Sequence, residues 1–262
     1  MKYFGGCDVG STYTKCVIID ETGKIAGAVT IRSKINAEQS ANEALNQAVS
    51  EVSGISKTSE LTYLVGTGYG RNKVPQADEN ISEISCHAMG VHVTNPSVKA
   101  IIDIGGQDVK GIAIDSDGTV QTFAMNDKCA AGTGRFFEAM ANAFECTLEE
   151  FSQLSLTAKN VIPITAQCTV FAESEVITLV GEGKPRDEIA AGIQQAVAKR
   201  CFVMAKKAGA KEHITLTGGC AKNVGLKKAI ENVLRIKVVD LSVDPQLMGA
   251  LGAAEYARQK GM

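Results

Sequence analysis

The strongest constraint on the fold of this chain is an eight-residue pattern that occurs twice. Residues 8–15 read DVGSTYTK and residues 103–110 read DIGGQDVK, with Asp, Gly and Lys at identical offsets. Each copy follows one strand-like run, precedes another, and leads to a turn that contains Asp. Because a repeated strand–turn–strand unit is a stronger signal than a single short motif, the pattern predicts an internally duplicated fold with two lobes.

The turn inside each copy has the chemistry of a phosphate-binding site. In the first copy, Gly, Ser and Thr residues bring N–H and hydroxyl groups together, and such groups can hold phosphate oxygens. Asp8, at the end of the first strand, could hold Mg²⁺ directly or through water. One copy taken alone is also compatible with a plain hairpin, but the repeat favours two hairpins that clamp a polyphosphate between the lobes.

Hydrophobic periodicity and Gly-rich segments predict the remaining elements. A third Gly segment, residues 218–223, follows a strand and is either a simple turn or a place where a planar group or a ribose approaches the backbone. Residues 66–71 form a Gly-rich loop that is expected near the cleft. We predict strands over residues 3–8, 14–19, 61–65, 99–102, 213–217 and 237–239, and helices over residues 37–52, 84–93, 136–144, 168–180, 185–208 and 248–260.

Composition and charge exclude several classes of protein. With 27 Lys and Arg against 29 Asp and Glu, the formal net charge is −2, and no basic cluster with interleaved aromatic residues indicates a nucleic-acid partner. The apolar runs are far shorter than a membrane span, so no membrane partner is expected. Residues 1–6 read as the start of a strand and lack a signal-peptide pattern, so a cytoplasmic protein is expected.

The chain contains eight cysteines and no C-x-x-C. Reduced thiols are expected, and most of them, including Cys201 in an apolar helix and Cys86 beside His87, should be small buried residues. Two cysteines differ from the rest. Cys129 stands before a Gly-rich stretch and a helix, and Cys168 stands at the start of another helix, where the N–H groups and the dipole favour a thiolate. Together with two phosphate-type turns, this placement predicts nucleotide chemistry joined to redox chemistry.

Three glycine segments follow one another in a distinctive order: Asp-x-Gly-Ser-Thr, Asp-x-Gly-Gly-Gln-Asp and Thr-Gly-Gly. This order resembles the nucleotide-binding fold of actin, sugar kinases and heat-shock chaperone ATPases. The resemblance implies an α/β protein with a two-lobed actin-like (ribonuclease H-like) ATPase fold, an internal duplication, and ATP bound in the cleft. The first lobe is expected to comprise residues 1–95 and 245–262, and the second lobe, which carries the two distinctive cysteines, residues 96–244.

A closer resemblance is carried by four segments: residues 66–72, 102–108, 126–136 and 168–175. They are similar to the activator component of 2-hydroxyacyl-CoA dehydratases, to which ATPase subunits of benzoyl-CoA reductases are related, and the likeness covers essentially the whole chain. It implies a homodimer that shares one 4Fe–4S cluster on its two-fold axis, with Cys129 and Cys168 of each subunit as the ligands. Ligand counting agrees, because a cluster normally takes four thiolates and one chain offers two well-placed candidates.

The same resemblance implies roles for the residues around the nucleotide. Asp8 and Asp103 are expected to organise Mg²⁺, and Asp103 and Gln107 are the expected catalytic residues, with Gln107 orienting the attacking water. The phosphates are expected to contact Ser11, Thr12, Tyr13, Thr14 and Lys15 in the first turn and Gly105, Gly106 and Gln107 in the second. The adenosine of ATP or ADP is expected to be bordered by Gly218, Gly219 and Gln246.

The function implied by the resemblance is ATP-driven electron transfer. ATP binding and hydrolysis move the lobes, and the protein passes one low-potential electron from reduced ferredoxin or flavodoxin to a partner dehydratase. A small-molecule kinase of the same fold is the main alternative, with Asp103 or Asp108 as its catalytic carboxylate, although no sugar-recognition segment stands out. A non-catalytic scaffold that responds to nucleotide is a third alternative.

Overall fold

Two β-sheets with helices packed on them make up the computed structural model, which describes residues 1–165 and 168–262. In these residues the strands are β1 (Tyr3–Val9), β2 (Tyr13–Asp20), β3 (Ile25–Arg32), β4 (Tyr63–Thr67), β5 (Glu79–Asn80), β6 (Ala100–Ile104), β7 (Val109–Ile114), β8 (Val120–Asn126) and β9 (Ile214–Thr217). The helices are α1 (Ala37–Ser50), α2 (Glu83–Thr94), α3 (Gly134–Ala143), α4 (Leu148–Leu154), α5 (Thr169–Gly181), α6 (Arg186–Lys207), α7 (Val224–Leu234) and α8 (Met248–Gly261).

The chain forms two compact units, and each unit is built from more than one stretch of sequence. The first unit contains Met1–Val98, Ile114–Gln121 and Leu241–Met262, and the second contains Lys99–Ala113 and Thr122–Asp240. Each unit has its own apolar core. The core of the second unit is rich in aromatic side chains, with four buried phenylalanines: Phe136, Phe137, Phe144 and Phe151.

The sheet of the first unit has the strand order β3-β2-β1-β4-β5. Strand β1 is antiparallel to β2 and parallel to β4. All seven residues of β1 are buried, because helices cover both faces of the sheet. Cys7 and Val9 pack in the cluster that includes α1, whereas Gly6 backs directly onto Ala250 of α8. The end of β1, which carries Asp8, is therefore held rigidly between two helical layers.

The sheet of the second unit repeats this plan. Its order is β8-β7-β6-β9, and β6 is antiparallel to β7 and parallel to β9. When β6 is matched to β1, the strand order and the directions of the two neighbouring strands are the same in both sheets. The internal duplication that the repeated pattern predicts is therefore confirmed, and the two predicted phosphate turns occupy equivalent positions, β1–β2 and β6–β7.

The predicted strand over residues 237–239 is wrong. Val239 N–H donates to the Ile214 carbonyl oxygen at 2.9 Å, but this contact does not continue into a ladder. The neighbouring backbone N–H, that of Val238, donates to the carboxylate of Glu231 at 3.1 Å and not to a strand. A side chain from the preceding helix thus competes with the sheet for the backbone, which a strand prediction from apolar residues alone does not anticipate.

No bounds were predicted for two helices of the second unit, α4 and α7, although both have start signals. Thr147 and Glu150 form a capping box at the start of α4, and Asn223 caps α7 by accepting the N–H of Leu226. In the described part of the chain, no helix is long and apolar enough to span a membrane.

Candidate functional site

The turn between β1 and β2 carries the first predicted phosphate site. Gly10 N–H donates to the Tyr13 carbonyl oxygen at 3.2 Å and closes the turn. Ser33 supports it, since its hydroxyl donates to the Gly10 carbonyl oxygen at 2.8 Å. Ser11 is exposed, whereas Thr12 is buried and its hydroxyl has no hydrogen-bond partner among the residues the structure describes. A buried hydroxyl without a hydrogen-bond partner is unfavourable. The hydroxyl of Thr12 is therefore available to donate a hydrogen bond to a phosphate oxygen.

Two of the three predicted site residues at the start of β2, Thr14 and Lys15, have side chains that already have partners. The hydroxyl of Thr14 is hydrogen-bonded to the hydroxyl of Ser33 at 2.9 Å. Lys15 lies directly opposite Asp8 across the strand pair, and its Nζ is 2.6 Å from Oδ2 of Asp8 and 3.3 Å from the Tyr13 carbonyl oxygen. The ammonium of Lys15 therefore connects the end of β1 to the first residue of β2, on the two sides of the turn.

The carboxylate of Asp8 is packed closely against two glycines, which leave no room for a larger side chain. A Cβ at Gly68, where φ is +87°, would overlap the Asp8 carboxylate. A Cβ at Gly249, in the first turn of α8, would lie 2.7 Å from Oδ2 of Asp8 and 2.9 Å from Nε2 of His87. The Gly-rich residues 66–71 therefore pack against Asp8. His87, which the sequence identifies only as a packing residue, is buried and borders the same small space.

The turn between β6 and β7 repeats the arrangement with a second carboxylate. Asp103 lies opposite Lys110, and Nζ of Lys110 is 3.1 Å from Oδ2 of Asp103 and 2.7 Å from Oδ2 of Asp108. Thr217, at the end of β9, donates its hydroxyl to Oδ1 of Asp103 at 2.8 Å. Gln107 is exposed in this turn. The expected catalytic pair thus consists of a buried, well-anchored carboxylate and an accessible amide.

The residues predicted to border adenosine lie in different units. Gly218 continues β9 into the 3-10 turn that begins at Gly219, and a Cβ at Gly218 would lie 3.0 Å from Oδ1 of Asp103. Gln246 is buried in the first unit, in a short turn before α8, and its N–H donates to the carboxylate of Asp244 at 2.9 Å. Within the second unit, Gly218 therefore packs against the end of β6, the strand that leads into the second glycine turn.

Exposure separates the eight cysteines, all of which are free thiols, into two groups. Cys129 and Cys168 are exposed, and the remaining six are buried or partly buried: Cys7, Cys16, Cys86, Cys146, Cys201 and Cys220. Burial raises the pKa of the Cys86 and Cys201 thiols to about 12, so both are neutral at physiological pH. The prediction that most cysteines have packing roles is confirmed, and the two exceptions are those that the sequence pattern singled out.

Both exposed cysteines lead into helices that pack against each other, α3 and α5. Cys168 is the N-cap residue of α5. Cys129 precedes α3, which begins at Gly134, slightly closer to Cys129 than the predicted start at residue 136. The N-cap of that helix is Thr133, which donates its N–H and its hydroxyl to the Ala130 carbonyl oxygen at 3.0 and 2.7 Å. Within the described residues, no group of three or more His, Cys, Asp or Glu side chains is arranged to hold a metal ion.

The segment after Cys129 is hydrogen-bonded to the second glycine turn. Gly134 N–H donates to the Gly105 carbonyl oxygen at 2.9 Å, and Arg135 N–H donates to the Gly106 carbonyl oxygen at 3.0 Å. A Cβ at Gly134 would lie 3.3 Å from the Gly106 Cα, so only a very small residue permits this approach without a shift. Within the second unit, the first turn of α3 thus joins the predicted phosphate turn to the cysteine segment.

Sequence reasoning missed several contributors to these turns. Lys110 had a signal, because it occupies the same offset in the repeat as Lys15, but its contact with two carboxylates was not foreseen. Thr217 and Gly249 come from segments that are distant in sequence from the aspartates they support. Thr217 belongs to the Thr-Gly-Gly segment, but its bond to Asp103 was not foreseen, and no local pattern marks Gly249. Only the folded sheet order brings both residues to the aspartates.

Two Asp-led glycine turns, each spanned by a lysine and set on equivalent strands of a duplicated α/β fold, define a nucleotide-binding ATPase of the actin-like class. A family model described as the BadF/BadG/BcrA/BcrD ATPase family matches residues 6–257. The chain belongs to this family of ATPases.

Relatives of known activity match along almost the whole chain. The activator of lactoyl-CoA dehydratase from Anaerotignum propionicum is 45% identical over 255 residues, which are 97% of each chain. The (R)-2-hydroxyglutaryl-CoA dehydratase activating ATPase from Acidaminococcus fermentans is 40% identical, with 98% of both chains covered. The solved structure of the activator of the 2-hydroxyisocaproyl-CoA dehydratase from Clostridium difficile, with bound ADPNP, has a TM-score of 0.91 at 40% identity and covers 99% of this chain and 95% of that one. The family resemblance seen in the sequence is therefore confirmed.

A more distant structure confirms the predicted fold. A ROK family glucokinase from Streptomyces griseus has a TM-score of 0.59 and covers 98% of this chain and 99% of its own, at 14% identity. An identity this low shows the shared fold alone, so it lends no support to the kinase alternative.

Proposed function

We propose that this ATPase activates a 2-hydroxyacyl-CoA dehydratase, or a related acyl-CoA reductase, by delivering one electron at low potential in a reaction coupled to ATP hydrolysis. Relatives that are 45% and 40% identical have names that describe such activators. The observation that carries the proposal is the exposure of Cys129 and Cys168, while the other six cysteines are buried or partly buried. The electron donor that fits this role is a reduced ferredoxin or flavodoxin.

Two exposed thiols per chain suit a 4Fe–4S cluster that is shared by a homodimer. Such a cluster takes four thiolates, and a two-fold axis doubles the pair that one chain supplies. When bound, it accepts and releases one electron. The hydroxyl of Thr169, next to Cys168, also supports this fit, because it could donate a hydrogen bond to a group bound there. It is buried and has no hydrogen-bond partner in the part of the chain that is described.

Exposed apolar side chains beside both cysteine segments favour a subunit contact there. Val170 and Phe171, in the first turn of α5, are 66% and 69% exposed. Phe123 and Met125, on β8 shortly before Cys129, are exposed as well. Because large exposed apolar residues that cluster along a segment are typical of interaction surfaces, these residues are suited to cover the cysteines in a dimer and to keep water from the redox centre.

The two glycine turns are suited to ATP and Mg²⁺. The buried, partnerless hydroxyl of Thr12 supports a phosphate contact in the first turn. Asp8 and Asp103 each bind a lysine, at 2.6 and 3.1 Å, so they are better placed to hold Mg²⁺ through water than directly. We assign the phosphates to Ser11, Thr12, Tyr13, Thr14, Lys15, Gly105, Gly106 and Gln107, and the adenosine to Gly218, Gly219 and Gln246.

Hydrolysis is communicated to the cysteines through α3. Gln107 orients the attacking water, a role that glutamine has in other nucleotide hydrolases, beside the anchored carboxylate of Asp103. The N–H groups of Gly134 and Arg135 are hydrogen-bonded to the carbonyl oxygens of Gly105 and Gly106. When the contacts of these two glycines with the phosphates change, Gly134 and Arg135 therefore move with them. Nucleotide states that differ in these contacts therefore bias the position of the Cys129 segment.

The proposal is tested by Cys129→Ala and Cys168→Ala in protein purified without oxygen, with Cys146→Ala, at a partly buried thiol, as the matched control. Both test variants are expected to lose bound iron and ATP-dependent electron delivery to a dehydratase, while ATP hydrolysis continues. The control is expected to stay brown and active. A Cys129 or Cys168 variant that keeps its iron and full electron delivery refutes the ligand assignment, and a colourless wild-type protein that phosphorylates a small molecule supports the kinase alternative.

A further inference from the structure

One lysine of the second glycine turn contacts two carboxylates in a buried position. Nζ of Lys110 lies 3.1 Å from Asp103 and 2.7 Å from Asp108, and the Lys110 and Asp103 side chains are each 3% exposed, against 25% for Asp108. A buried ammonium requires such partners, because leaving water is strongly unfavourable for an unpaired charge. Its position between carboxylates indicates that Lys110 holds the turn rather than contacting a phosphate.

The two carboxylates lie at opposite ends of the turn. Asp103 is on β6, directly opposite Lys110 on β7, and Asp108 is the last residue before β7. Gly105 N–H donates to the Asp108 carbonyl oxygen at 3.0 Å, and a Cβ at Gly105 would overlap the Asp108 carboxylate. Lys110 therefore connects both ends of the segment that carries residues 105–107.

The first turn uses the same device. Nζ of Lys15 lies 2.6 Å from Asp8, at the strand end, and 3.3 Å from the Tyr13 carbonyl oxygen, at the far side of the turn. The first copy uses a carbonyl oxygen where the second uses the carboxylate of Asp108. Both copies of the duplicated unit therefore have a lysine whose ammonium connects the two sides of the turn. We infer that this lysine contact maintains the conformation of each turn.

We propose that Lys110 is a positioning residue for ATP hydrolysis: its ammonium holds Asp103 and Asp108 together and thereby fixes Gln107 and the backbone N–H groups of the turn. The proposal rests on the assignment of this turn to the phosphates under the proposed function. Without the ammonium, the two carboxylates repel each other. Asp103 remains anchored by the Thr217 hydroxyl, so Asp108 is the residue that moves and opens the turn.

The experiment compares kcat and KM for ATP in Lys110→Met, Lys110→Arg and Asp108→Asn, with Lys237→Met as the control at a lysine that is 86% exposed. A displacement of about 1 Å in a reacting group lowers a rate by as much as ~100-fold. For Lys110→Met we therefore expect kcat to fall at least ~10-fold while KM changes by less than ~3-fold, the pattern of a contact that matters in the transition state. Asp108→Asn is expected to show a smaller fall, Lys110→Arg a partial recovery, and the control wild-type values.

The double variant Lys110→Met/Asp108→Asn separates positioning from charge, because the turn keeps one net negative charge, as in the wild type, but loses the bridging ammonium. It is expected to be more stable than Lys110→Met and to keep a low kcat. Wild-type kcat in the double variant, or in a folded Lys110→Met, overturns the proposal. If Lys110→Met does not fold, Asp108→Asn decides, and an unchanged kcat in that variant overturns the proposal. ATP hydrolysis and iron content are measured separately. A wild-type protein that hydrolyses ATP but contains no cluster would contradict the proposed function. The kcat comparison would still test the role of Lys110 in that case.

Discussion

Replacing Gly218 by Ala tests whether the backbone at the end of β9 packs closely against the end of β6, at Asp103 and Ile104. Gly218 has φ +81° and ψ 175°, a region that only glycine adopts readily, so an alanine there is strained by roughly 1–3 kcal/mol. Its Cβ would also overlap the Ile104 carbonyl oxygen and lie 3.0 Å from Oδ1 of Asp103. Overpacking of this kind costs a further ~1–3 kcal/mol. We expect Gly218→Ala to lower the free energy of unfolding by roughly 4 kcal/mol in total.

Two other glycines of the second unit separate these two effects. Gly209 has φ +77° but no atom of the described residues within 4 Å of its Cβ position, so Gly209→Ala should lose only about 1 kcal/mol from backbone strain. Gly181 has neither a positive φ nor a close neighbour within the described chain, so Gly181→Ala should be neutral or slightly stabilising. Urea unfolding followed by circular dichroism gives the three values. A loss for Gly218→Ala that is no larger than that for Gly209→Ala would refute the role of the close contacts with Ile104 and Asp103.

Two further predictions concern thiol exposure and acid stability. In iron-free protein, a thiol reagent should modify two thiols per chain rapidly and six slowly, because only two cysteines are exposed; eight equal rates would contradict the structure. At the start of α4, the backbone N–H and the hydroxyl of Thr147 donate to the Glu150 carboxylate and lower its pKa. Its folded pKa is therefore below its unfolded value, so its stabilising contribution is present above about pH 4.3 and is lost as the pH falls through the folded pKa. Thermal unfolding from about pH 3 to pH 6 should show a wild-type advantage over Glu150→Gln at the upper end only, and a constant difference at every pH would contradict this origin.

Features that depend on neighbours in sequence were predictable. The repeated pattern led directly to two equivalent hairpins, because strand, turn and strand are contiguous in each copy. Cys129 and Cys168 were separable from the other cysteines because polar or Gly-rich residues and a helix start accompany them, whereas Cys201 lies in an apolar helical pattern. In each of these cases a single local stretch contains the whole signal.

Features that depend on the tertiary fold were not predictable in the same way. Thr217 reaches Asp103 across 114 residues of sequence, and α8 brings Gly249 to Asp8 from the far end of the chain. The strand expected at residues 237–239 failed for a related reason, since a side chain from α7 takes one of its backbone donors. In such cases the structure depends on contacts between two segments, and the sequence of either segment alone does not predict those contacts.

The central claim is that two chains together hold one redox centre through Cys129 and Cys168. Native mass spectrometry of protein purified without oxygen tests it directly. The account predicts a dimer with the mass of two chains plus a single 4Fe–4S cluster, and a dimer or monomer without that added mass in both Cys129→Ser and Cys168→Ser. A monomer that carries a complete cluster, or a cluster that persists in either variant, would contradict the account.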